Sequence, residues 1–240
     1  MINVFDSEEK VLAAVADIIV VKAHEAIAQR ERFNIALSGG SSPKRLYELL
    51  ASDRYRSSIE WNKVFFFFGD ERYVPLTDSN SNYLMAKKAL FEPLSIRKEH
   101  VFAVNSALTP TEAAHDYELR LLYHFKDPHC RFDLVLLGLG DNSHTASLFP
   151  FTSVLHEQKA LVKEVYVEEV NMFRITFTAP LINAARAIVF LVYGSTKAEA
   201  VYNILKGEEN MIAYPAQLIR PEVGELLWFM DEAAARIVNR

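Results

Sequence analysis

Four phenylalanines in a row, Phe65 to Phe68, follow Val64 and stop at Gly69. Side chains alternate between the two faces of a strand, so an apolar run with no polar break needs cover on both sides. Helices flanking a parallel sheet supply that cover. The run Phe132, Leu134, Val135, Leu136, Leu137 before Gly138 is of the same kind, as is residues 187–192 before Gly194. These runs argue against an exposed antiparallel sheet and for a sheet buried in the middle of a layered fold.

Helical segments separate the runs. Residues 7–30 carry apolar side chains at three- and four-residue spacing, and Asp6 with Glu9 resembles a capping box at their start. Residues 33–37 read as a strand, and Ser42 is the expected cap of a second helix with Pro43 in its first position. Further strands are expected at 64–68, 101–104, 161–167, 174–177 and 226–230. Thr109, Pro110 and Glu112 open a helix that reaches Phe125, residues 181–185 form another, the Gly194-Ser195-Thr196-Lys197 turn leads into a helix to Leu205, and Asp231 caps the last, at 233–238. The alternation predicts an α/β fold, a doubly wound, mostly parallel sheet with helices on both faces, in one domain spanning residues 1–240.

Charge and cysteine content narrow the function classes. A formal net charge of −5 gives no basic footprint for a nucleic-acid backbone. Cys130 stands alone, so no intrachain disulfide is possible and a reducing compartment is expected. The first ten residues, MINVFDSEEK, lack the pattern of a signal peptide, and no apolar run approaches the ~20 residues of a membrane span. A cytoplasmic protein acting on a small molecule, with no nucleic acid, membrane or obligate protein partner, is the expectation.

Polar groups gather where strands end: Ser38-Gly39-Gly40-Ser41-Ser42, Gly69-Asp70-Glu71-Arg72, Gly138 to Thr145, and Gly194 to Lys197. In a parallel sheet these turns share one edge, where open α/β sheets bind their ligands. Lys44 and Lys197 fall in first turns of helices, where the helix dipole disfavours a cation unless an anion is near. For Lys44 an outward position in water is an equal reading; for Lys197 the anion is favoured. Arg72 can take a phosphate bidentately or pair with Glu71 or Asp70, and Arg174 carries the same ambiguity. Of the seven histidines, only His144 sits in a glycine-rich turn behind a buried strand, the address of a general acid or base, with Asp141 or Asp70 to orient it. No HExxH or cysteine pair suggests a metal, Ser143 stands where a dinucleotide fingerprint needs its third glycine, and no G-x-S-x-G elbow anchors a serine triad.

LSGGSSPKRLYELL, FFFGDERYVP with the following SNY, LLGLGDNSHTASLFP, RITFTAP with INAAR, and GSTK together resemble the 6-phosphogluconolactonase family, in order and over essentially the whole chain. The resemblance implies a fold related to glucosamine-6-phosphate deaminase and hydrolysis of 6-phospho-D-glucono-1,5-lactone in the pentose phosphate pathway, without metal or cofactor. It also implies that Arg72, Arg174, Lys197 and the Ser38, Gly39, Gly40, Ser41 turn hold the phosphate, with His144 at the lactone carbonyl and turn N–H groups of Gly39, Gly40 or Ser143 steadying the oxyanion. One departure stands out. The family reads G-x-G-x-D-G-H, whereas here Asn142 and Ser143 hold the Asp and Gly places, with Asp141 one position early as the replacement carboxylate. A deaminase would continue past the histidine toward an acidic residue where this chain has Leu148-Phe149-Pro150, and a non-catalytic sugar-phosphate sensor finds support in Asn142 alone.

Overall fold

The computed structural model describes residues 1–238. In chain order its main elements are β1 (Ile2–Phe5), α1 (Glu8–Arg30), β2 (Phe33–Leu37), α2 (Ser41–Ala51), β3 (Val64–Phe68), β4 (Asp70–Arg72), α3 (Asn82–Ala86), β5 (Val101–Phe102), α4 (Pro110–Phe125), β6 (Leu134–Leu137), β7 (Val162–Val167), β8 (Met172–Phe177), α5 (Ala179–Asn183), β9 (Ala187–Val192), α6 (Ala198–Leu205), β10 (Glu225–Asp231) and α7 (Glu232–Ala235). Seven strands pair in the order β1-β10-β9-β6-β2-β3-β5, and every pairing is parallel. The chain moves outward from β2 through β3 to β5, returns to the other side of β2 as β6, then moves outward again through β9 and β10. β2 and β6 therefore flank the switch point, the place where such sheets leave a crevice.

Both faces of the sheet are covered, as the phenylalanine run requires. Phe66 and Phe68 pack with Ile35, Leu136 and Val189 under α1 and α2, while Phe67 packs with Ala36, Val135 and Phe190 under α4. Each fully buried phenylalanine contributes about 1.5–3 kcal/mol. Phe65 is partly buried and lies against two imidazoles, His100 at 4.4 Å and His124 at 4.9 Å between ring centroids.

Local starts and stops follow the side chains at hand. Ser7 caps α1, its hydroxyl accepting from Lys10 N–H at 3.4 Å, and Asp6, expected to open a capping box, pairs instead with Lys10 Nζ at 2.6 Å. Thr109 and Glu112 form the capping box of α4 as expected. α2 begins two residues earlier than the Ser42 cap predicts, behind Gly40 at φ 106°, with no side-chain cap. That leaves N–H groups at its start free to meet a ligand.

Two features were not anticipated. β1 alternates between exposed and half-buried residues at the sheet edge, and at four residues it is too short to announce itself. The other is a second, antiparallel sheet, β4-β8-β7. The Asp70-Glu71-Arg72 stretch, read as a turn, is a strand pairing with β8 so that Arg72 lies opposite Arg174 and Asp70 opposite Thr176. No helix among the described residues is long and apolar enough to cross a membrane.

Candidate active site

β2 and β6 end beside each other, and the chain turns at once through Ser38-Gly39-Gly40 and Gly138-Leu139-Gly140. A cleft of about 370 Å³ opens there, lined by Ser38, Gly39, Gly40, Ser41, Asp70, Arg72, His144, Arg174 and Lys197. Residues from both halves of the sheet and from the antiparallel sheet thus meet at one rim.

Buried tyrosines set the strand ends. Tyr47 of α2 accepts from Ser38 N–H at 3.0 Å and donates to the Ser38 carbonyl at 2.7 Å. Tyr117 of α4 likewise accepts from Phe68 N–H at 2.8 Å and donates to the Phe102 carbonyl at 2.9 Å. Burial pushes both hydroxyls well above the ordinary tyrosine range, so both remain donors. Ser38 therefore presents its hydroxyl, not its backbone N–H, to the cleft.

His144 is clamped on three sides. Phe149 stacks on the imidazole, with centroids 3.9 Å apart and planes at 17°. Asn142 Oδ1 lies 2.5 Å from Nδ1 and also accepts the His144 backbone N–H at 3.3 Å. Gly140 lies against the ring so closely that a Cβ there would stand 2.1 Å from Nδ1. Because an amide oxygen can only accept, Nδ1 carries the proton and Nε2 keeps its lone pair. Burial, above all, lowers the imidazole to about 4, with Asp70 opposing, Lys197 and Arg174 lowering it further and Asp141 raising it. At neutral pH the ring is an uncharged base. A Gly140→Ala chain is expected to fold normally and lose roughly 10²-fold in kcat, because the methyl displaces the imidazole by about an ångström; steady-state kinetics beside a thermal melt checks both halves of that statement.

Two arginines face each other across β4 and β8. Arg174 is buried, Arg72 half-buried, and the Nε of each is buried without a hydrogen-bond partner among the described residues. Arg72 Nη1 donates to the Asn80 carbonyl at 2.8 Å. Burial lowers the Arg174 guanidinium from its ordinary value and the neighbouring Arg72 charge adds to this, partly offset by Asp70 and Glu71. Two guanidinium groups with unmet donors at one site suit a doubly charged anion.

The carboxylates fall out differently from expectation. Asp141 does not reach His144; it is exposed and pairs with Lys197 Nζ at 2.7 Å. Asp70 accepts from Ser147 Oγ at 2.7 Å and from Asn82 Nδ2 at 3.5 Å, so it influences the imidazole through space and not by a hydrogen bond. Asn142, in the place where the family has Asp, takes the imidazole, and its Nδ2 donates to Glu169 Oε2 at 3.0 Å. Glu71 accepts N–H groups from Arg72, Asn82 and Tyr83 within 2.8 Å, gathering the loop behind the cleft; burial pushes it up to about 7 against those bonds. The Ser143 N–H, one of the expected oxyanion donors, is taken by the Gly140 carbonyl at 3.0 Å. Lys44 points outward toward Glu48 at 3.5 Å. Sequence reasoning gave Phe149 and Ser147 no role although both lie in the LLGLGDNSHTASLFP stretch, and it missed Glu169, which lies outside every motif.

The fold and the cleft define a doubly wound α/β protein with a neutral histidine and a cationic pair at its switch point. Residues 6–228 match the family model described as glucosamine-6-phosphate isomerases/6-phosphogluconolactonase. A 6-phosphogluconolactonase from Nostoc sp. is 40% identical over 237 residues, covering 97% of this chain and 96% of the relative. The Homo sapiens 6-phosphogluconolactonase is 37% identical, covering 100% and 94%. Among solved structures, a 6-phosphogluconolactonase from Trypanosoma cruzi superposes with a TM-score of 0.89 at 27% identity, covering 100% of this chain and 97% of that one. The chain belongs to the glucosamine-6-phosphate isomerase/6-phosphogluconolactonase family.

Proposed function

We propose that this chain is a lactonase that hydrolyses 6-phospho-D-glucono-1,5-lactone to 6-phospho-D-gluconate in the oxidative pentose phosphate pathway, with His144 as its general base. The observation that carries the reading is the shared cleft: a tautomer-fixed imidazole and two guanidinium groups with unmet donors line the same 370 Å³ space. Full-length similarity to 6-phosphogluconolactonases supports the choice of substrate.

Arg72 and Arg174 hold the 6-phosphate, with Lys197 released from Asp141 to join them and the Ser38 to Ser41 turn offering its hydroxyls and helix-start N–H groups. Binding energy at that remote group serves to place C1 beside Nε2. A water attacks the carbonyl carbon as Nε2 takes its proton, and the C–O π bond opens to an oxyanion steadied by N–H groups of Gly39 and Gly40. Collapse of the tetrahedral intermediate breaks the bond from C1 to the ring oxygen, which leaves with the proton from the imidazolium. Asp70 faces the imidazolium and favours its transient charge.

The test is acid release from the phosphorylated lactone above its spontaneous opening, run beside ammonia release from glucosamine 6-phosphate. Lactone turnover alone is expected; ammonia, or ligand binding with neither product, would overturn the reading. A histidine NMR titration of the free chain is expected to find His144 neutral at pH 6 and protonating only near 4. The His144-dependent fall in kcat/KM then lies on the acid side of the step near pH 6 that the substrate phosphate itself contributes. A His144 midpoint near 6.5 would contradict the burial argument.

A further inference from the structure

We infer that Glu169 is the positioning residue for the base, acting on His144 through the side-chain amide of Asn142. The kinetic consequence rests on the lactonase reading; the geometry does not. Asn142 sits between two partners that each fix one end of its amide. At one end the His144 backbone N–H, an unambiguous donor, lies 3.3 Å from Oδ1, beside Nδ1 at 2.5 Å. At the other the Glu169 carboxylate, which can only accept, lies 3.0 Å from Nδ2. Together they hold the amide with its oxygen toward the ring. Were the amide to turn over, its NH₂ would face Nδ1, the imidazole would carry its proton on Nε2, and it would have no lone pair for the water.

Neither of the carboxylates expected to orient the histidine competes for this role. Asp141 is engaged with Lys197 at 2.7 Å, and Asp70 with Ser147 at 2.7 Å. Glu169 reaches the site because it stands on the short helical turn Glu168–Val170 between β7 and β8. Asn171 closes that turn in the left-handed region at φ 47°, its N–H donating to the Glu168 carbonyl at 3.1 Å and its side chain bonded to the Tyr166 hydroxyl. The same hairpin carries Arg174. One element thus delivers a phosphate ligand and the group that sets the tautomer of the base.

The test uses Glu169→Gln, Asn142→Asp and the double variant, in which the polarity of the pair is exchanged: residue 142 becomes the carboxylate accepting from Nδ1–H and residue 169 the amide that donates to it. Glu169 is exposed, so the substitution leaves the core untouched. Glu169→Gln is expected to lower kcat on the order of tenfold with KM unchanged. The double variant regains most of that loss, and Asn142→Asp alone, which sets two carboxylates side by side, is less active than the double. Nitrogen-15 shifts of the histidine ring read the tautomer without turnover: Nδ1–H in the parent chain and the double variant, a mixture in Glu169→Gln. Parent-like kcat and tautomer in Glu169→Gln, or a double variant no better than Glu169→Gln, would overturn the inference. Absence of lactone turnover in the parent chain would defeat the lactonase reading and leave the tautomer result to decide this one.

Discussion

A His144→Ala chain is expected to lose on the order of 10²–10⁴ in kcat, equivalent to roughly 3–5 kcal/mol of transition-state stabilisation, while binding 6-phosphogluconate as tightly as the parent. In the proposed mechanism the imidazole meets the reacting carbonyl, whereas Arg72 and Arg174 would carry the affinity for the phosphate of the product. Its removal frees the space beside Phe149, which had the ring stacked on it at 3.9 Å between centroids, without unpairing a buried charge. Kinetics with the spontaneous opening subtracted, beside calorimetric titration with the product, separates the two roles. A parallel loss of affinity would mean that His144 is a ligand for the substrate and not the base.

The second large effect falls on the arginines. Arg174→Ala and Arg72→Ala are each expected to lower kcat/KM for the phosphorylated lactone by roughly 10²–10³, the usual consequence of leaving one charge of a desolvated pair without its partner. Unphosphorylated gluconolactone should be turned over at the parent rate by both variants, since nothing in that substrate calls on them. Arg174→Lys should recover only part of the loss, because an ammonium lacks the planar fork and the Nε donor, which is buried without a partner among the described residues. Equal losses on both lactones would move the arginines from the phosphate to the reacting end.

Much of this arrangement was legible in the residues. The apolar runs placed β3 and β9 with the bounds the structure has, because a strand buried on both faces leaves little freedom for polar residues; β2 has its expected bounds too, although it carries the buried Asn34, which bonds Asp133 and His124. Thr109, Pro110 and Glu112 marked the start of α4 because capping is local chemistry, complete within one turn. The glycine turns behind β2 and β6 marked the rim of the cleft for a related reason: Gly39 and Gly140 have neighbours, Asn82 and His144, where a side chain would otherwise stand.

What the residues left open depended on partners remote along the chain. Asp70, Glu71 and Arg72 have no strand periodicity, and they become β4 only because β8 arrives a hundred positions later to pair with them. Asp141 and Asn142 are adjacent and equally polar, yet one turns to Lys197 and the other to His144. Between them and His144 along the chain stands Ser143 at φ 67°, its N–H bonded to the Gly140 carbonyl, and Glu169 meets the Asn142 amide from the turn between β7 and β8. The sequence by itself determined the layered α/β fold, the polar rim and the histidine at its centre, since burial, capping and turn formation act over a few residues. Only the tertiary structure decided that an amide, and neither Asp141 nor Asp70, bonds the imidazole and that two arginines face each other, because hydrogen bonds of about 3 Å are made between groups whose distance no local pattern encodes.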